Sequence, residues 1–548
     1  MNELNNQKSI SQQMNLNKLI MMNNCKYVVV ALLAAKLSTL ATAGEDPVNL
    51  RNEFLKVDFN ETGMTQIRDK DAERTIAFTG DHCVLKVDDV VFDSRTMSAK
   101  PKKDGPSVSY AYRSGPFGLK VVYELRPGWK FLSKQMFLEG PAGGEFTVKS
   151  VVPFDGEIRN PIHEDFRLNG ERYGVSLRMK AKESDASVSH GCFLLVQNPY
   201  SKTTVDGSRV SLSYDAEMKW KSAQGAFASD RFCIGTYELT GTTFRADMAP
   251  EWRYEQDPDR FLQEGARIDT AEIAAVTDCA RAFLLEDRKK SVRVHIGWCE
   301  NDYQIDMATA KGKAEYRRII DQAAAMGCQY VLYTPSHSTL APLDDCRDAW
   351  KWESNLWFNM GQKIRKDEWI PGRDPLPDDI LDILAYAKSK GVKLMAYSYP
   401  SLPWMQNPEW TDWLTKQGKK PQGYLTVDTG LRSFQDWFVD KLVDFSESTG
   451  CAGYCFDHWW IAYKADLGDV SSEYQQWYGT RRILERIRER APELIVDGRQ
   501  QYHNFGTWTW LAGTYPHPMM SDEQPGSFNS IVDLSTERVN GARQRYIA

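Results

Sequence analysis

The chain reads as two fold classes in series, an all-β sandwich followed by an α/β barrel of the (β/α)8 TIM type. Three observations predict this. Residues 49–254 hold many short apolar or alternating runs separated by Gly, Pro, Asn and Asp, the pattern of an antiparallel sandwich. From residue 293 onward strand-like and helix-like runs alternate, which predicts a parallel sheet with helices outside it. The acidic and aromatic residues of that second half fall just after the strand-like runs, where a (β/α)8 barrel keeps its chemistry.

The 548 residues are 42% hydrophobic and 12% aromatic, enough for a large core and for two or more domains. The net charge of -6, with no basic patch, argues against a nucleic-acid partner. At the N-terminus Lys18 and Lys26 precede an apolar run at 27–35. Lys36 interrupts the run, it resumes through Leu40, and Ala41-Thr42-Ala43 fits a small-residue cleavage site before Gly44. Met14 and Met21 are alternative starts, because the polar stretch ahead of Lys18 is long. The run is too short and too interrupted to span a membrane well. Residues 1–43 are therefore expected to be a signal peptide and the mature chain to be secreted or periplasmic, without a membrane partner after processing; an uncleaved anchor is the alternative.

The sandwich is expected over residues 44–256. Runs at 83–87 and 90–92 flank an acidic turn, and further runs lie at 119–125, 146–152, 193–196 and 210–214. Residues 257–290 are expected to be a helical linker, on the helix-like pattern at 260–282. The barrel is expected over 291–548, with strands at 294–298, 330–334, 393–398, 453–457, 494–497 and 518–520. Helices fall between them at 314–326, 377–390, 434–448 and 474–490, the first two closed by Gly327 and Gly391. A doubly wound sheet is the rival, but no Gly-rich nucleotide turn opens the first unit. Six strands are too few to close the barrel, so the sequence predicts a C-terminal truncation or replaced last strands.

Ten cysteines are present, and nine follow the proposed cleavage site. They form no CxxC pair. Cys451 and Cys455 lack a matching His/Cys pair, so neither a metal nor another cofactor is expected, and most of the thiols read as small buried residues.

The segment Gly453-Tyr454-Cys455-Phe456-Asp457-His458-Trp459-Trp460 carries the most chemistry. A run that can be buried delivers a carboxylate, and aromatics able to stack on a sugar ring follow at once. Met519-Met520-Ser521-Asp522-Glu523 repeats the design. Two strand-end carboxylates beside aromatics are what cleavage of a glycosidic bond needs. Taken singly, each acid also reads as a helix cap or a solvated loop residue.

These residues resemble the melibiase-type α-galactosidases, in the clan of retaining α-glycosidases. In that family a β-sandwich precedes a (β/α)8 barrel, and the fourth strand ends in the nucleophilic Asp, as in Cys455-Phe456-Asp457. The fifth strand ends in an Arg beside glycine, matched by Asp497-Gly498-Arg499. A Trp-containing loop leads to a Ser-Asp at the sixth strand, matched by Ser521-Asp522. Two positions depart. The family's Lys two residues before the nucleophile is Cys455 here, and its Asp-Asp pair after the second strand is replaced by Tyr333-Thr334-Pro335-Ser336-His337.

The resemblance implies an exported, retaining hydrolase of terminal α-linked, galactose-like sugars, with an oligosaccharide or polysaccharide as partner. Asp457 is the expected nucleophile and Asp522 the expected acid/base, with Glu523 its rival, since adjacent strand residues face opposite ways. Arg499 offers a fork of donors to a hydroxyl or carboxylate, or forms an ion pair with Asp497 or Glu523. Trp298, Trp459 and Trp508 are stacking candidates, Tyr333 and Tyr397 hydroxyl contacts, and His458 a neighbour of the nucleophile. Asp428 and Trp404 are weaker candidates for lining the cleft. His295 reads as a core residue. A non-catalytic carbohydrate-binding protein on the same fold, or an exported barrel enzyme of another class acting on polysaccharide, are the alternatives.

Overall fold

The computed structural model describes residues 48–71, 73–159, 162–168, 174–180, 188–198, 200–245, 267–283, 292–296, 309–332, 374–376, 378–398, 428–456, 470–498, 515–516 and 530–534. Two antiparallel sheets come first. The eight-stranded one centres on Arg74–Val87, Glu145–Ile158 and Arg209–Lys221, and the nine-stranded one sets Phe232–Glu238 between Val188–Val196 and Phe131–Glu139. Alternation turns one face of each sheet inward. Arg209–Lys221 buries Val210, Leu212, Tyr214, Ala216, Met218 and Trp220 and leaves the residues between them partly or fully exposed.

Aromatic rings join the sheets across a shared core: Phe59 meets Tyr123 edge-on at 5.1 Å, and Phe154 stacks on Phe232 at 5.2 Å. An ion pair lies in the same gap. Lys134 Nζ is 2.6 Å from Asp81 Oδ1, and both side chains are 0% exposed. The Tyr123 hydroxyl and the Met64 N–H donate to Asp81 Oδ2 at 2.7 and 3.1 Å. A buried carboxylate is tolerated when its lone pairs are used in this way.

The described part of the stretch expected to be a helical linker, residues 267–283, packs on the sandwich. Arg267–Asp269 is a strand antiparallel to Thr243–Arg245. Helix α1 (Thr270–Arg281) packs on the nine-stranded sheet, and its Val276 and Cys279 enter the sandwich core. Glu272, buried in its first turn, is held by Arg178 through N–O distances of 3.0 and 3.1 Å and accepts from the Tyr237 hydroxyl at 2.9 Å. Helical periodicity at 260–282 indicates an apolar stripe but not which surface receives it.

A seven-stranded sheet follows, of β1 (Val292–Ile296), β2 (Tyr330–Leu332), β3 (Lys393–Ser398), β4 (Gly453–Phe456), β5 (Ile495–Gly498), β6 (Tyr515–Pro516) and β7 (Ser530–Leu534). Its order is β6-β5-β4-β3-β2-β1-β7; the first six strands are parallel and β7 is antiparallel to β1. Between strands run α2 (Ala310–Ala325), α3 (Asp378–Ser389), α4 (Arg432–Thr449) and α5 (Glu473–Arg490). Their ends follow local chemistry. The Thr309 hydroxyl accepts from Gly312 N at the start of α2, and Gly450 adopts the left-handed conformation that closes α4.

All four helices cover one face. Ile319 and Ile320 of α2, Ile380 and Ile383 of α3, Phe438 and Leu442 of α4, and Ile483 and Leu484 of α5 share a core with Val331, Leu394, Ala396, Tyr454, Phe456 and Val496. Strand order that follows chain order without reversal, with helices on one side, excludes the doubly wound rival, whose order reverses and whose helices cover both faces. Helix α5 runs between the two cores, since its Tyr474 and Trp477 belong to the sandwich core.

One expectation about this sheet is not tested and one is corrected. The described part of the sixth strand is Tyr515–Pro516, and the predicted run at 518–520 lies outside the described residues. A further strand, β7, follows it and pairs antiparallel with β1, one strand more than the six that the sequence predicts. Among the described residues the sheet therefore has six parallel strands and one antiparallel strand in place of eight parallel ones, with β6 and β7 at its two ends.

Candidate active site

The parallel register lines up the C-terminal ends of the strands. Ser398, Phe456 and Gly498 are partners across β3, β4 and β5, and Ile296 and Leu332 are partners across β1 and β2. The residue after Phe456 is Asp457 and the residue after Gly498 is Arg499. The described parts of neighbouring strands thus lie in register, immediately ahead of the residues to which the sequence assigned chemistry.

Packing fixes which face of each strand meets the helices. The Phe456 ring lies 6.1 Å from that of Phe438 in α4, and the Tyr454 hydroxyl donates to the Leu442 carbonyl. Burial holds the Tyr454 hydroxyl far above its ordinary range, so it is a permanent donor there. Cys451, at the foot of β4, is buried and its thiol is pushed up to about 12 by burial, so it is not a reactive thiolate. Positions between Tyr454 and Phe456 on β4, and between Leu394 and Ala396 on β3, belong to the opposite face. On β3 that face carries Met395, which is 0% exposed.

Most of the predicted site residues lie outside the described residues: Asp457, Asp522, Arg499, Trp298, Tyr333, His458, Trp459, Trp508 and Glu523, together with Trp404. Tyr397 lies in β3 beside Cys455 of β4, and the side chains of both are outside the described residues. Among the described residues no cluster of three His, Cys, Asp or Glu side chains could hold a metal ion.

Asp428 is described, and it does not line an open cleft. It is 2% exposed, and its carboxylate accepts from Gly430 N at 3.0 Å and from Ser471 N at 2.8 Å. The turn it builds leads into α4 and touches α5. The Gln435 side chain donates to Thr429 O at 2.8 Å, and the Thr429 hydroxyl donates to Gln476 O at 3.0 Å. Two glycines allow the approach: a Cβ on Gly479 would stand 1.9 Å from Thr429 O, and one on Gly430 2.5 Å from the Ser471 side chain. Asp-Thr-Gly directly ahead of a helical run is a legible turn signal. Its partner 43 residues on is not.

No family model and no curated protein matches the chain. Among solved structures it is similar to a variant of a GH36 α-galactosidase from Geobacillus stearothermophilus in complex with 1-deoxygalactonojirimycin, at 10% identity over 86% of this chain and 74% of that chain, with a TM-score of 0.48. It is similar to a second variant of that enzyme in complex with raffinose, at 10% identity over 85% and 77%, TM-score 0.47. An α-galactosidase from Lactobacillus brevis is similar at 10% identity over 93% of this chain and 66% of that chain, TM-score 0.45. These solved structures are α-galactosidases, and the chain is similar to them at low identity.

Proposed function

We propose that the chain is an exported retaining glycoside hydrolase that removes terminal α-linked, galactose-like sugars on a barrel-type sheet. The observation that carries the reading is the register of β4 and β5, Phe456 paired with Gly498. A carboxylate and a guanidinium, Asp457 and Arg499, are the next residues on these adjacent strands. Phe456 faces the helices, so one further residue of extended chain gives Asp457 the parity of the other face. Val496 faces the helices as well, which gives Arg499 the same parity as Asp457. Tyr397 shares it.

In this mechanism Asp457 attacks the anomeric carbon, and the glycosidic oxygen departs with a proton from Asp522. A glycosyl ester on Asp457 results. Asp522 then takes a proton from water, which attacks the same carbon and releases the sugar with its configuration retained. Arg499 beside Asp457 keeps the nucleophile ionised, while the charge of Asp457 raises the carboxyl group of Asp522 into the range of an acid. Trp298, Trp459 and Trp508 supply apolar faces for the sugar, and His458 a donor.

Hydrolysis of a panel of aryl α- and β-glycosides tests the reading. Turnover of α-galactosides with retained configuration is expected. Turnover of β-linked substrates alone, or of none, overturns it, and the second outcome favours a sugar-binding role on the same fold.

A further inference from the structure

Strand Phe232–Glu238 of the nine-stranded sheet has two distinct faces. Phe232 stacks on Phe154, and the Thr236 hydroxyl donates to Asp69 at 2.8 Å; both partners belong to the eight-stranded sheet. Alternation gives Cys233, Gly235 and Tyr237 the other face. Helix α1 covers that face, since the Tyr237 hydroxyl donates to Glu272 in its first turn.

A second contact joins the same two elements further along. The thiols of Cys233 and Cys279 hydrogen-bond to each other, and both residues are 0% exposed. The spacing is consistent with the first contact. Four strand residues, from Cys233 to Tyr237, cover roughly 13 Å, and seven helical residues, from Glu272 to Cys279, cover roughly 10 Å. The strand and the helix therefore meet at two points, one a polar pair and the other a thiol pair. Other cysteines among the described residues do not compete for this place. Cys192 pairs with Thr236 in the ladder and so shares its face, Cys83 lies in the eight-stranded sheet, and Cys328 and Cys451 belong to the βα core.

We infer that Cys233 and Cys279 form a disulfide that clasps α1 to the nine-stranded sheet when the chain folds in an oxidising compartment. The inference rests on the export proposed above, because such bonds persist outside the reducing cytosol. The oxidant is a small-molecule or protein disulfide. One cysteine thiolate attacks it and releases the first thiol. The second cysteine then displaces the other thiol as the Sγ–Sγ bond forms, so two electrons and the two cysteine protons pass to the oxidant. Burial holds the Cys279 thiol far above its ordinary range, so the exchange belongs to folding, before α1 seals the face.

The test begins with the full chain, unfolded, reduced and refolded in a mixture of reduced and oxidised glutathione, then alkylated and digested without reduction. Mass spectrometry is expected to show a peptide linking Cys233 to Cys279, and the Cys279→Ala variant to lack it. Absence of that peptide from the parent overturns the inference, as do links from these two residues scattered over other cysteines. Hydrogen exchange across 270–281 is expected to be about tenfold slower in the linked chain than in the reduced parent. Equal rates overturn the clasp. Failure of the export reading is read separately, by N-terminal sequencing of the chain recovered from its own cells, where a start near Gly44 is expected. A chain that keeps residues 1–43 and reduced thiols overturns export, and the linked peptide of the refolded chain then still supports the pairing.

Discussion

Arg481 of α5 places its Nη1 2.5 Å from Oδ1 of Asp230, and this pair joins the sandwich to the βα sheet. Asp230 is fully buried and its other oxygen accepts from Asn198 Nδ2 at 3.0 Å, while its backbone N–H donates to the Tyr214 hydroxyl at 3.0 Å. The guanidinium also lies over the rings of Trp477 and Tyr478, at 5.4 and 4.7 Å. Burial pushes the Asp230 carboxyl above its ordinary range, and Arg481 opposes that push.

Removing the cation strands the carboxylate. Arg481→Met is expected to lower stability by about 3 kcal/mol at neutral pH, the scale for a broken buried pair, and Asp230→Asn in the same background to restore part of it. A folded-state carboxyl with a raised pKa favours folding at low pH and loses that contribution as pH rises. The cost of Arg481→Met should therefore shrink as pH falls toward 4. Urea unfolding at several pH values measures this; a cost that does not depend on pH would refute the assignment.

The ion pair inside the sandwich, with both side chains 0% exposed, has no solvent to soften its loss. Lys134→Met leaves Asp81 buried, with the Tyr123 hydroxyl and the Met64 N–H, both on Oδ2, as its remaining partners among the described residues. The expected cost is about 3–5 kcal/mol. The double variant with Asp81→Asn should cost less than Lys134→Met alone. Calorimetric Tm values across the double-mutant cycle decide it.

His190 gives the sandwich a pH dependence. It is 4% exposed, and its pKa is pushed down to about 4, first by burial and then by Arg74, with Asp69 acting the other way. A histidine with a depressed pKa stabilises the fold above its unfolded value of about 6.5, and that stability is lost as pH falls toward the folded value. The parent is expected to lose roughly 3 kcal/mol between pH 6.5 and 4 from this group. His190→Gln should flatten that part of the stability profile; an unchanged profile would show that His190 protonates without cost.

The two proposed acids separate by chemical rescue. Asp457→Ala is expected to abolish turnover, and added azide to give a glycosyl azide of inverted configuration, because azide then attacks from the nucleophile's face. Asp522→Ala should retain most activity on substrates with good leaving groups, and azide should give a product of retained configuration. If Glu523→Ala shows the second pattern and Asp522→Ala does not, the acid/base is Glu523 and the mechanism stands. Product configuration by NMR reads the outcome.

The amino-acid sequence by itself marked six runs of the sandwich and, in the second half, the places of four helices and of the first five parallel strands. Short alternating runs such as 210–214 became strands because period-two burial has one solution, and the apolar stripes of 434–448 and 474–490 became helices α4 and α5 within two residues of their predicted ends. It also placed chemistry-bearing residues directly after strand-like runs. Tertiary structure decided the rest, because each remaining question concerned partners distant in the chain. Periodicity marks Tyr474, Trp477, Leu484 and Ile487 as one apolar set, yet two face the sandwich and two the βα core. Helix α1 is a sandwich element because Arg178, Tyr237 and Glu272 meet there. Asp428 reads as a cleft residue until Ser471, 43 positions on, donates to it. Strand order, which excludes a doubly wound sheet, is a matter of pairing between strands tens of residues apart, and no local propensity carries it.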